Sequence, residues 1–184
     1  MNDQNTFINK QAVEKAMYQI WLKGYKTTSV PDLIRTMNIT QVDFEKRFGS
    51  KENLLIHTMS HYLDHIFIPE LEKLSHAKEF SAFFERMLTP RKSGTSGCYM
   101  LTISSETADS KPKVLQLLKE YVQRIQQVLE EVVEYRYPSL TDAERKMKLT
   151  QLLSLFTSIP LVHAIISPEM CLEYTREMLS LIES

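Results

Sequence analysis

Apolar residues recur along this chain at the spacing of helices. Val13, Ala16, Met17, Ile20 and Trp21 fall at i, i+3, i+4, i+7 and i+8, one face of a first helix that Asn9 can cap and Gly24 can stop. "TTSVPDLIRTMN" predicts a short second helix. Ser29 or Thr28 is its cap, Pro31 is tolerated in the first turn, Leu33, Ile34 and Met37 form the apolar side, and Asn38 closes it in left-handed geometry. Thr40 opens a third helix with Asp43 in a capping box, Val42 or Phe44 and then Phe48 anchor it, and Gly49 breaks it. Ser50 caps a longer helix to about Leu74, bent or interrupted at Pro69.

Further helices follow. One spans residues 79–88 and ends at Thr89-Pro90, before the polar loop "RKSGTSG". The next crosses Cys98–Ala108, and a long one runs from about Pro112 to Tyr135. In that long helix Val114, Leu118, Tyr121, Ile125, Val128, Val132 and Tyr135 alternate steps of four and three, a continuous packing seam. Thr141 with Glu144 offers a capping box for a helix over about 142–165, with a kink expected at Pro160. Ser167 and Pro168 start the last helix, which reaches about Ile182. The expected fold is all-α, with about nine helices. A three-helix head covers residues 1–49, and a helical domain covers 50–184.

Composition agrees. Four glycines in 184 residues disfavour a hairpin-rich fold, which needs glycine at its turns. The net charge of −1 excludes a general polyanion sponge but leaves room for a local basic surface. Residues 1–60 hold eight Lys/Arg against six Asp/Glu, so the mild basic excess lies at the front. Cys98 and Cys171 lie far apart without a CxxC pair, which argues against a disulfide scaffold and a thiolate zinc site. The N-terminus has no apolar signal core, and no apolar run reaches the roughly 18–20 residues that span a bilayer. A cytoplasmic chain is expected, with no membrane partner.

The front of the chain also carries a motif. Gly24-Tyr25, Thr28-Ser29-Val30, Asp32-Leu33-Ile34, Ile39-Thr40, Phe44, Phe48 and Gly49-Ser50-Lys51-Glu52 resemble the TetR family of transcriptional regulators over about residues 9–56. The remainder resembles the family in layout, and "GCYML" at 97–101 is similar to a segment that some members carry before the helix lining the effector cavity. The resemblance implies a homodimer with two helix-turn-helix heads on a palindromic operator in double-stranded DNA. A small-molecule effector in the C-terminal domain would alter the spacing of the heads and release a repressor. It implies no enzyme activity and no cofactor. Thr28, Ser29, Gln41, Val42, Asp43, Lys46, Arg47 and Lys51 are the residues expected on the DNA face, with Ser50 and Lys51 as a phosphate clamp.

The reading helix departs from the family pattern. Gln41 stands where the family usually has Lys, Val42 where it has Gly, and Glu45 where a phosphate-touching Tyr is usual. A carboxylate beside phosphate is repulsive, and every phosphate left without a protein partner lowers affinity and its salt dependence. Asp43 is explained by the capping box. Glu45 is either angled towards Lys46, Lys51 or a cytosine amino group, or marks a helical protein-interaction regulator that has lost ordinary operator binding.

Other constellations carry less. His57, His61 and His65 recur every four residues, and imidazoles at i and i+4 can share a metal. No fourth ligand follows at short spacing, so packing or titration near pH 6.5 serves as well, and no resident metal is expected. Cys98 has no elbow or oxyanion loop around it that would make it a nucleophile. His61, His65, Phe83, Phe84, Met87, Cys98, Tyr99 and Ile103 are candidates to line a pocket for an apolar effector. Leu149, Leu152, Leu153, Phe156 and Ile159, with Met170, Leu172, Tyr174, Met178, Leu181 and Ile182, make the last two helices broader in apolar surface than one core stripe needs. The surplus fits a homodimer through those helices.

Overall fold

The computed structural model describes residues 3–77, 80–89, 94–95, 97–107, 112–162 and 166–183. The helices are α1 (Asp3–Lys23), α2 (Val30–Met37), α3 (Gln41–Arg47), α4 (Lys51–Tyr62), a π-helical turn (Leu63–Phe67), α5 (Ile68–Ala77), α6 (Phe80–Leu88), α7 (Tyr99–Thr107), α8 (Pro112–Arg136), α9 (Asp142–Val162) and α10 (Pro168–Glu183). With α4, the π turn and α5 counted as one rod, the described residues hold nine helices and no strand. The fold is all-α, as the periodicity predicts.

Helix ends form where short-range chemistry dictates. Gly24 takes φ +87° and its amide donates to Ile20 at 2.8 Å, closing α1. Ser29 and Asp32 form a capping box at α2, and Thr40 and Asp43 form one at α3. Asn38 closes α2 at φ 55°. Thr141 with Glu144 precedes α9, and Ser167 accepts from Met170 at the start of α10. Asn9 is not a cap, because nothing in residues 3–8 (no Pro, no Gly) stops the helix from beginning at Asp3. At Pro69 the chain neither breaks nor carries on as regular α-helix. A prolyl ring crowds the carbonyl four residues back and supplies no amide, and the π turn immediately before it widens the coil to make room. Pro160 lies in the last described turn of α9. Residues 91–93 and 96 of the polar loop, Ala108, and residues 163–165 lie outside the described residues.

The core is continuous from head to tail. Leu33, Met37, Phe44 and Phe48 share one buried core with Ala16, Met17 and Ile20, and α2 packs on α1. Trp21 then meets Tyr62 at 5.4 Å and Tyr99 at 5.5 Å, joining the head to α4 and α7. Further back, Phe67 packs on Tyr121 at 4.6 Å, and Phe156 sits 4.9 Å from Phe83 and 4.7 Å from Phe84. The seam of α8 departs from its expected end. Val114, Leu118, Tyr121, Ile125 and Val132 are buried, but Tyr135 is 69% exposed and Leu129 and Val133 are buried instead. A straight helix of 3.6 residues per turn drifts from a 3.5 repeat by roughly 20° per heptad, which carries Tyr135 off the buried side.

Among the described residues, no helix is long and apolar enough to cross a membrane.

Candidate nucleic-acid interface and regulatory core

The exposed side of α3 is what the buried side leaves over. Phe44 and Phe48 face inward, 5.7 Å apart, and anchor the helix, so Val42 turns outward and is 71% exposed. Of the two anchors expected for the start of α3, the position is taken by Phe44. Gln41, Val42, Glu45 and Lys46 share the exposed face, and Arg47 is half-buried at its edge. Asp43 accepts from the Thr40 hydroxyl at 2.7 Å and the Thr40 amide at 3.3 Å. Those two bonds hold its carboxyl below the usual carboxylate range. Glu45 points to neither Lys46 nor Lys51. Its Oε1 accepts from Gln41 Nε2 at 2.7 Å, one turn back on the same helix.

Two of the residues expected on the DNA face have partners within the chain. Thr28 is 1% exposed, and its hydroxyl donates to the Gly24 carbonyl at 2.7 Å. The turn after α1 needs that bond, so Thr28 braces the head from inside and Ser29 alone of the pair reaches the surface. Lys51 is half-buried. Its ammonium donates to the Tyr25 carbonyl at 2.5 Å and lies 4.3 Å from the centre of the Tyr25 ring. Ser50 caps α4 by accepting from Asn53, whose side-chain amide donates to the Phe48 carbonyl at 2.9 Å. This group stitches the start of α4 to the α1–α2 turn and to the end of α3.

The histidines do not converge. His57 packs edge-on against Phe48, with centroids 5.4 Å apart, while His61 and His65 stack on each other at 4.5 Å. Among the described residues no group of three metal-ligating side chains comes together. His61 is buried, and that burial, then the neighbouring His65, hold its imidazole below the ordinary value. His65 is exposed.

The remaining pocket candidates are buried. Phe83, Phe84, Met87, Cys98, Tyr99 and Ile103 all lie in the core. Cys98 sits between the Tyr62 hydroxyl, which donates to its sulfur at 3.6 Å, and the Tyr121 hydroxyl at 3.1 Å. Burial pushes both Tyr99 and Tyr121 well above the ordinary tyrosine value. A cavity of about 20 Å³ lies between Tyr62, Ile66, Phe67, Phe83 and Met87, with Glu70 and Arg86 paired at its edge at 2.6 Å. That is space for a single water and no effector. A larger open groove, about 340 Å³, lies elsewhere, between α8 and α9 beside Leu129, Leu149 and Leu153. Phe83, Phe84, Met87, Cys98, Tyr99 and Ile103 thus belong to one buried core.

One contact between the two parts has no local signal in the sequence. The Lys26 amide donates to Glu106 Oε2 at 2.7 Å, across a separation of 80 residues. On α10, Met170, Tyr174 and Leu181 form an exposed apolar stripe at helical spacing, with Met170 58% and Leu181 71% exposed. Leu152, Phe156, Ile159 and Ile182 are spent in the core of the chain itself.

No family model matches the sequence, and no curated protein matches it. Solved structures do match the fold. A TetR-family regulator from Cytophaga hutchinsonii aligns with a TM-score of 0.76 at 15% identity, covering 98% of this chain and 96% of that one. A TetR-family regulator from Streptomyces coelicolor gives 0.74 at 13% identity over 100% of this chain and 95% of its own. A cysteine-substituted form of CifR, a TetR-family transcriptional regulator solved with 26-bp double-strand operator DNA, gives 0.73 at 17% identity over 93% and 95%. Over nearly its whole length, therefore, this chain has the fold of TetR-family transcriptional regulators.

Proposed function

We propose that the protein is a TetR-type DNA-binding transcriptional regulator, a homodimeric repressor that leaves a palindromic operator when a small apolar molecule enters its C-terminal core. The observation that carries this reading is the outward face of α3. A seven-residue helix pinned by a capping box and two buried phenylalanines displays Gln41, Val42 and Lys46 in the position of a recognition helix. Residues 1–49 form the reading head and 50–184 the effector and dimer domain. Ser29, Gln41, Val42, Asp43, Lys46 and Arg47 make the DNA face, with Thr28 and Lys51 bracing it. A neighbour of the same fold is bound to operator DNA, which supports the same use here. The apolar stripe on α10 supports pairing through the last two helices, because contiguous exposed apolar surface marks an interface. The apolar and aromatic make-up of the core favours an uncharged effector.

Glu45 favours a second reading, a helical interaction protein that kept this shape without operator binding. Selection of duplexes from a random pool by the full chain, with binding followed at two salt concentrations, separates the two. The regulator reading expects salt-dependent binding and a palindromic consensus with half-sites about one helical turn apart. No binding even at low salt would favour the interaction protein. A monomer at micromolar concentration by gel filtration would remove the paired-head mechanism.

A further inference from the structure

The helix α7 grips the head at both of its ends. At its start, Tyr99 packs on Trp21 of α1, and its hydroxyl bonds Thr58 of α4 at 2.8 Å. At its far end, Glu106 reaches the turn between α1 and α2. One carboxylate oxygen takes the Lys26 amide, and the other lies 3.0 Å from where a Cβ on Gly24 would stand. Glycine at position 24 thus serves two needs, the positive φ of the helix stop and the close approach of this carboxylate. Between those ends α7 carries Met100 and Ile103, both fully buried in the core of the larger domain. The same helix that would feel a ligand in the core therefore holds the backbone just before α2.

We infer that Glu106 is a positioning residue for DNA binding: its carboxylate fixes the turn from Gly24 to Thr27, and through it the angle at which α2 and α3 meet a duplex. The inference rests on the DNA-binding reading above. Glu106 touches no base and no phosphate in this role. It acts through the Lys26 amide, and a shift of α7 reaches the head by that bond. The sign of the effect separates this role from plain charge. Removing a carboxylate from a DNA-binding protein reduces repulsion and tightens binding, whereas removing a positioning bond loosens it.

The experiment uses the full chain with Glu106→Gln and Glu106→Ala, the duplex recovered by selection, and a random duplex of equal length. Three quantities are read: thermal unfolding, the exchange rate and chemical shift of the Lys26 amide by NMR, and affinity as a function of salt. Glu106→Ala is expected to speed Lys26 exchange and to weaken the selected duplex by roughly fivefold or more, the lower range of an inter-site coupling. The salt slope should stay unchanged, because the set of cations facing phosphate is the same in the variant. Glu106→Gln keeps an acceptor oxygen, and its effect should be smaller. Equal tightening in both variants would overturn the inference in favour of charge alone, and so would an unaltered Lys26 amide. If Glu106→Ala does not fold, Glu106→Gln decides by the same two readouts. Failure of the unsubstituted protein to bind either duplex would overturn the DNA reading and the inference with it. Normal binding that neither variant changes would overturn the inference alone.

Discussion

Gln41 and Glu45 are bonded to each other, side chain to side chain, at 2.7 Å across one turn of α3. The amide that would reach a base edge is thereby held by the carboxylate that would repel a phosphate. Glu45→Ala should release Gln41 and remove the charge, tightening binding to random duplex roughly two- to fivefold at low salt, with less gain as salt screens the site. Fluorescence anisotropy at two salt concentrations measures it. If binding to a selected duplex instead weakens, and only where one position is cytosine, Glu45 is a base reader and not an obstacle.

Lys51 belongs to the scaffold. Its ammonium is bonded to the Tyr25 carbonyl and sits over the ring, so Lys51→Met leaves a carbonyl without its donor. A loss of about 1–2 kcal/mol in urea unfolding is expected. The slope of log affinity against log salt should not change, whereas removing a cation that neutralises a phosphate would reduce it by about 0.9.

Acid should loosen four helix starts together. Asp32, Asp43, Glu144 and Glu169 each accept bonds at a helix N-terminus, which holds all four below their ordinary values of 3.8 for Asp and 4.5 for Glu. A depressed folded value means stability that is complete above the unfolded value and lost as pH falls through the folded one. Helicity followed by circular dichroism should therefore hold to about pH 5 and decline below about pH 4. Thr40→Ala, which removes one cap, should cost about 1 kcal/mol at neutral pH.

His61 acts over a higher window. The chain binds a proton there less readily when folded than when unfolded, so stability is greatest above the unfolded value of 6.5 and falls as pH drops from there towards the lower folded value. Glu14 and Asp64 counteract the shift, while Lys10 and the stacked His65 reinforce it. His61→Leu should flatten the dependence of the urea midpoint between about pH 7 and pH 5.5. An equal slope in that variant would assign the dependence to another group.

What the sequence discloses and what it withholds divide by range. The capping box at Thr40, a cap at Thr28 or Ser29, the stops at Gly24 and Asn38, and the start at Ser167 depend on residues within four positions of each other, and all are legible in the string of letters. The bonds of Glu106 with Lys26, and of Lys51 with Tyr25, join residues that share no pattern. Thr28 reads as a surface hydroxyl because its motif position carries no sign of its burial. The end of the α8 seam is misplaced for a metrical reason, since a heptad count keeps time slightly faster than a straight helix. Pocket volume is hidden altogether, because Phe83, Phe84 and Phe156 write the same letters whether they line a space or fill it.

Asn38 and Ile39 lead from α2 straight to the Thr40 cap of α3. Both amides are bonded back into α2, to Arg35 and Ile34, and a capping box opens the helix on either side. So short a splice ties the two helices closely. In the proposed role of Glu106 the two helices would turn together as a wedge, and a push on the segment of chain that enters α2 would reach Gln41.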